Sequence, residues 1–235
     1  MEIVAHRMGE GEIGPKLAAG RDATVYAVGE DKVLRRSGIE RSYEAEAQAM
    51  EAIRALGYPV PTVHQVGPSE MVLDRITGPT MLEDLGTHPW RADAHARLLA
   101  GLHHRLHRLA APELLRPFPI AGDAILHLDL HPGNVILSPD GPVVIDWTNV
   151  RRGPAPVDVA LTWIILAVFE SDDTGVMKAL VWALRRRYAK VFLQAAGRKD
   201  AARYLQAAAD HRGDDRNIRP AERERLQQLV ATFAT

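Results

Sequence analysis

The hydrophobic rhythm of the chain changes about a third of the way along. Up to residue 35 the apolar residues come in short runs that suit strands, at 16–20, 23–28 and 32–35. Gly20-Arg-Asp22 and Gly29-Glu-Asp31 punctuate these runs as turns. Residues 42–56 switch to helical spacing, with Met50, Ile53 and Leu56 on one face and Ser42 as the N-cap candidate. Gly57 stops that helix, and Pro59-Val-Pro61 forces an extended exit. Residues 63–66 and 71–73 read as further strands. Residues 1–73 therefore make a small lobe of three or four antiparallel strands and one helix, followed by a hinge at 74–78. From residue 79 to 235 the pattern is mainly helical. Residues 88–109 carry a buried stripe of Leu99, Leu102, Leu106 and Leu109, and 157–169 is apolar enough for a buried helix. Amphipathic helices are expected at 176–195, 200–210 and 220–233.

One stretch breaks the helical pattern. Val135-Ile-Leu, a Ser-Pro-Asp140-Gly141 turn and Val143-Val-Ile read as a β-hairpin. Its apolar arms carry polar residues at their ends: Asp129 and Asn134 before the first arm, Asp146 after the second. Strands that end in polar residues bring those side chains to one edge of a sheet. Carboxylate and amide oxygens gathered there suit Mg²⁺, and one Asp is left to handle a proton. The order His-x-Asp-x-x-x-x-Asn followed by a further Asp is that of a phosphoryl-transfer loop.

Composition narrows the partners. The chain has 235 residues, 46% hydrophobic and 25% charged, and a formal net charge of −1. That balance gives no support for a nucleic-acid binder, so small molecules are the expected partners. The absence of Cys excludes disulfides, thiol catalysis and Cys-ligated zinc, and fits a reducing compartment. The first ten residues have no apolar signal-peptide core, and the longest apolar stretch is far short of the ~20 residues a membrane span needs. A cytoplasmic, monomeric protein without membrane contact is expected.

The segment Ile125-Leu-His-Leu-Asp-Leu-His-Pro-Gly-Asn-Val-Ile-Leu, with Val-Val-Ile-Asp146-Trp and Arg151-Arg-Gly-Pro-Ala-Pro-Val-Asp158-Val-Ala, resembles the aminoglycoside phosphotransferase-type small-molecule kinases. The resemblance extends over nearly the whole chain. It implies a protein-kinase-like bilobal α+β fold, with a small antiparallel β-sheet N-lobe carrying one helix and a larger, mainly helical C-lobe. It implies ATP and Mg²⁺ as cofactors and a small-molecule hydroxyl, on an antibiotic such as an aminoglycoside or on a metabolite, as the acceptor. Asp129 would accept or orient the acceptor hydroxyl, Asn134 and Asp146 would hold Mg²⁺, and His127 would shape the loop. Asp158 would be a buried Asp bracing that loop, and Leu128 stands where the family commonly has Gly. Gly20 and Thr24 fall where a phosphate-covering loop belongs, and Arg35 where a Lys usually grips the α- and β-phosphates. Arg pairs with both phosphate and carboxylate, so the exchange is chemically sensible. Its carboxylate partner is expected to be Glu46, which shares a helix face with Met50 and Ile53, whereas Glu44 lacks that register. Leu73, Asp74 and Ile76 lie in the stretch matching the adenine-binding hinge.

Other readings stay open at this stage. His127, Asp129 and His131 at alternate positions could ligate a transition metal from one strand face, as a metallohydrolase would, and His103 and His107 could do so from a helix. The alternative for the helical pair is packing beside the leucine stripe. Glu170, Asp172, Asp173, Asp210, Asp214 and Asp215 could meet a cationic substrate, or could be solvated helix ends. Arg185-Arg-Arg187 reads as a solvated face, and Trp163, Trp182 and Phe192 as core. A catalytically impaired, nucleotide-binding regulatory protein is the rival to an active kinase.

Overall fold

A computed structural model describes residues 13–20, 23–168, 175–214 and 220–233. The chain divides into two compact units, one of residues 1–79 and 136–148, the other of residues 80–135 and 149–235.

The first unit is built on a five-stranded antiparallel sheet. Its strands are β1 (Lys16–Ala19), β2 (Ala23–Val28), β3 (Lys32–Ser37), β4 (Val63–Val66) and β5 (Glu70–Asp74), in the order β1-β2-β3-β5-β4. Gly29, in the left-handed region at φ 60°, makes the tight β2–β3 turn. The register sets Arg35 opposite Val25 on one side and Met71 on the other. Helix α1 (Glu44–Ala55) follows β3, and its buried stripe is Glu46, Ala47, Ala49, Met50 and Ile53. Burying side chains of the size of Met50 and Ile53 contributes about 1.5–3 kcal/mol each. Ser42 serves the helix start through its hydroxyl, which accepts the Glu44 N–H at 3.2 Å.

The predicted hairpin is present as β7 (Val135–Ser138) and β8 (Gly141–Val144), and residues 136–148 pack with the first unit. Leu137 N–H donates to Pro79 O at 2.9 Å, and Val144 N–H to Pro59 O at 2.9 Å. Gly78 lets the first of these form. It sits at φ 138°, and a Cβ there would lie 2.3 Å from the Leu137 carbonyl oxygen. Trp147 is fully buried, donates to Val144 O at 3.0 Å and meets the Tyr58 ring edge-on.

The second unit is helical. Its helices are α2 (Met81–Thr87), α3 (Ala92–His107), α4 (Ala155–Val168), α5 (Gly175–Ala196), α6 (Arg198–Arg203), α7 (Leu205–Gly213) and α8 (Pro220–Phe233). The expected helix over 88–109 begins later, at Ala92, because Pro89 opens a 3-10 turn over Pro89–Arg91. Helix α2 was not anticipated, although Thr80 and Glu83 form a capping box in which each side chain takes the other's backbone N–H. Helix α4 is apolar on almost every side and packs against α5, α6, α7 and α8, as a central helix must. Strand β6 (Ala124–Leu126) pairs antiparallel with β9 (Arg151–Gly153) and leads straight into His127. Trp163 and Phe192 are core residues. Glu170, Asp172, Asp173 and Asp215 lie outside the described residues, as does the Trp182 side chain.

Candidate active site

In the first unit the pleat of β3 separates its side chains. Leu34 is fully buried on one face and Arg35 stands on the other. Arg35 Nη1 donates to Glu46 Oε1 at 2.6 Å, while Nη2 donates to Asp146 Oδ1 at 2.8 Å and to Thr148 Oγ1 at 3.1 Å. Thr148 donates its hydroxyl to Glu46 Oε2 at 3.0 Å, and Arg41 Nη2 reaches the same oxygen at 3.3 Å. The Tyr43 ring faces the guanidiniums of both Arg35 and Arg41, at 5.4 and 5.2 Å. The helical register that favoured Glu46 therefore holds: Glu46 is buried against Arg35, and Glu44 is exposed.

Charge in this cluster is balanced. Burial would lower the Arg35 pKa, but the Asp146 and Glu46 carboxylates outweigh it and raise the pKa above its ordinary value. Burial pushes the Glu46 carboxyl up, with Arg35 opposing it. Asp146 has φ 65°, the left-handed region that a non-glycine residue enters at a cost of about 1–3 kcal/mol.

Gly20 and Thr24 lie in the β1–β2 hairpin, where Gly20 N–H donates to Ala23 O at 2.9 Å and Thr24 pairs with Arg36. Neither joins the Arg35 cluster, and Arg21 and Asp22 between them lie outside the described residues. In the 73–76 stretch, Leu73 is paired on both sides within the sheet. Asp74 N–H donates to Thr62 O at 3.0 Å and Arg75 N–H to Asp31 O at 2.8 Å. Ile76 is then the first residue of the stretch whose main chain takes no partner among the described residues. The Asp74 carboxylate serves the sheet instead, accepting Thr62 N–H at 2.9 Å and meeting His64 Nε2 at 2.7 Å. Burial acts against its charge, yet these bonds hold its pKa below the ordinary carboxylate value.

In the second unit the loop after β6 carries Asp129. Asn134 Nδ2 donates to the Asp129 carbonyl at 2.9 Å and to its Oδ2 at 3.2 Å, which turns the amide oxygen Oδ1 away from Asp129. A 3-10 turn over Pro132–Asn134 places Asn134, and His131 caps it by accepting Gly133 N–H on Nδ1 at 3.1 Å. Leu128 has φ 63°, in the left-handed region that an L-residue enters at a cost. Asp158, on α4, receives both neighbouring N–H groups: Leu128 N to Oδ1 at 2.7 Å and His127 N to Oδ2 at 3.2 Å. Successive N–H groups around a left-handed residue form an anion-binding concavity, and here the anion is a side chain.

The alternating metal face over His127, Asp129 and His131 is not formed. The left-handed Leu128 breaks the strand period, and His127 is fully buried with its Nδ1 accepting Asp129 N–H at 3.2 Å. His131 Nε2 stands 3.8 Å from Asp129 Oδ1, beyond hydrogen-bonding range. The histidines of α3 have a different partner. His107 Nε2 donates to Asp158 Oδ2 at 2.9 Å, and His103 Nε2 meets Thr162 Oγ1 at 3.1 Å. Among the described residues, His103, His107 and Asp158 are the one trio with ligand atoms within 4.8 Å of each other. Burial opposes the Asp158 charge, but His103 and His107 beside it hold its pKa well below the ordinary value. Burial also lowers the His103 pKa.

Residues 119–204 match a family model described as APH, phosphotransferase enzyme family. That stretch contains Asp129, Asn134, Asp146 and Asp158. The chain is thus similar to that family over a little more than a third of its length. A thiamine kinase of Escherichia coli is 32% identical over 75 residues, covering 32% of this chain and 26% of that kinase. The chain thus matches about a quarter of the curated relative's length. Two solved structures share the protein-kinase-like fold of this chain. One is APH(2″)-IIa in a streptomycin–ATP ternary complex, at 17% identity and TM-score 0.56, covering 94% of this chain and 93% of that one. The other is a choline/ethanolamine kinase family protein from Mesorhizobium loti, at 16% identity and TM-score 0.60, covering 96% and 88%.

Four residues of these two clusters are not predicted from the sequence: Arg41, Tyr43 and Thr148 in the first unit and Thr162 in the second. Only Thr148 had a local cue, as a hydroxyl two places after Asp146. The others depend on tertiary neighbours.

Proposed function

We propose that the protein transfers the γ-phosphoryl group of ATP to a hydroxyl of a small molecule. The observation that carries this reading is the Arg35–Glu46–Asp146 cluster. A buried ion pair adds little net stability over apolar packing, because desolvation offsets the attraction. A strand cation clamped between a helix carboxylate and a carboxylate from a distant hairpin is better explained by what it binds. Arg35, held charged in that clamp with three of its five N–H groups engaged, keeps donors to offer a phosphate oxygen. Gly20 and Thr24 are assigned to the phosphate-covering turn, and Leu73, Asp74 and Ile76 to the adenine stretch. Because Asp74 and Arg75 already spend their N–H groups, Ile76 is the main-chain contact we favour.

Asp146 and the Oδ1 of Asn134 are hard oxygen donors that fit Mg²⁺, and they are assigned as its ligands. Mg²⁺, when bound, neutralises charge developing on the phosphates. Asp129, oriented by the Asn134 amide, accepts the proton of the acceptor hydroxyl. Proton handling of this kind contributes a factor of about 10²–10⁴.

The relatives suggest the first acceptors to try: thiamine, choline, ethanolamine and streptomycin. All are alcohols that carry positive charge. ATP consumption measured across this panel, with Mg²⁺ present, tests the proposal. Turnover with at least one alcohol supports it. Mg·ATP binding with no turnover on any acceptor would favour the regulatory reading, which the replacement of the usual Lys by Arg35 motivates.

A further inference from the structure

The loop around Asp129 is pinned from more sides than the Asp158 bond accounts for. Thr162, one turn after Asp158 on α4, is buried, and its hydroxyl donates to the Leu130 carbonyl at 2.7 Å. A hydroxyl has one proton, so at the 3.1 Å contact with His103 the ring Nε2 must carry the hydrogen and donate to Thr162 Oγ1. His103 also faces the Leu130 carbonyl. Its other nitrogen, Nδ1, is buried without a hydrogen-bond partner, and the 3.4 Å to Asp158 Oδ2 is long for a charge-assisted bond. The proton count therefore places a hydrogen on Nε2 and makes His103 a donor to the Thr162 hydroxyl.

The anchors therefore bracket Asp129. Asp158 holds the N–H groups of residues 127 and 128, Asn134 holds the carbonyl of 129, and Thr162 holds the carbonyl of 130. A left-handed Leu128 next to the reacting carboxylate is a soft point unless both flanks are fixed.

We propose that Thr162 and His103 are positioning residues for Asp129, acting through the Leu130 carbonyl. The proposal rests on the reading of Asp129 as the group that meets the acceptor hydroxyl. Thr162→Val keeps the shape and removes the bond. Misplacing a catalytic group by about 1 Å costs on the order of 10²-fold in rate. Turnover of the best acceptor in the panel should fall about 10- to 100-fold, with calorimetric Mg·ATP affinity unchanged. Thr162→Ser, which restores the hydroxyl, should recover turnover.

Amide hydrogen exchange over residues 127–131 gives a readout independent of activity. Exchange there should quicken about tenfold or more in Thr162→Val and return in Thr162→Ser, while α5 stays as in the wild type. His103→Asn keeps the Thr162 hydroxyl but removes its ring donor, and should give an intermediate increase. That variant also carries the test if Thr162→Val does not fold. Unchanged loop exchange in these variants overturns the anchoring, and unchanged turnover overturns the positioning role. A wild-type protein that consumes no ATP overturns the functional reading, while the exchange comparison still decides the anchoring.

Discussion

Leu128 offers a test in which the usual gap between two substitutions closes. Its side chain is 3% exposed, and its backbone sits at φ 63°. Truncating a buried Leu to Ala costs about 2–5 kcal/mol through lost transfer energy and the cavity left behind. That cost applies to Leu128→Ala, and the left-handed strain remains because Ala also has a Cβ. Leu128→Gly loses the buried Cβ as well, about a further 0.8 kcal/mol, but escapes the strain, about 1–2 kcal/mol for an L-residue. Against this also stands the greater chain entropy of Gly, about 0.5–1 kcal/mol. The terms nearly cancel, so the two variants should be equally stable to within about 1 kcal/mol, whereas at an unstrained buried position Gly is worse by about 1.3–1.8 kcal/mol. Paired urea and thermal melts of the two variants read the difference directly. The unstrained gap corresponds to a melting difference of a few degrees for a chain of this size. A Leu128→Gly protein less stable than Leu128→Ala by that full gap would refute the assignment of strain to this residue.

Two further predictions follow from the buried clusters. Glu46→Gln puts an amide N–H₂ against the donors of Arg35, Arg41 or Thr148; a loss of about 2–4 kcal/mol is expected in denaturant melts, and a variant as stable as wild type would mean that the cluster is slack. Acidification should weaken the second unit in two stages. Because burial depresses His103 from 6.5 in the folded state, the unfolded chain binds the extra proton first, so stability falls as pH drops below about 6.5. Asp158, depressed from 3.8, contributes stability above that value that is lost below it. A pH series of melts in which His103→Asn removes the upper stage supports this, and an unchanged upper stage contradicts it.

Much of this arrangement was legible in the sequence where the signal is local. Glu46 follows from its spacing to Met50 and Ile53 because a helix presents every third and fourth residue to the same side. The β7–β8 hairpin follows from its Pro-Asp-Gly turn between apolar arms. What could not be read depends on residues far apart in the chain. The histidine pair of α3 was visible as a pair, but its partner Asp158 lies 51 positions away, so packing and metal binding stayed open until the fold brought them together. The reading of His127, Asp129 and His131 as one strand face failed because a single left-handed residue cancels the two-residue period, and Leu is a type from which no one expects that conformation. The capping box at Thr80 and Glu83, by contrast, is a local signal for α2 that went unread.

In the proposed reaction Asp129 handles the acceptor hydroxyl while other residues hold the nucleotide. Asp129→Asn keeps the size of the side chain and can still pair with Asn134, so the loop should stand. The decisive measurement is Mg·ATP affinity by calorimetry alongside phosphorylation of the best acceptor, for wild type and Asp129→Asn. The expected result is affinity within a few-fold and turnover lower by about 10²–10⁴. Undiminished turnover in Asp129→Asn would contradict the account.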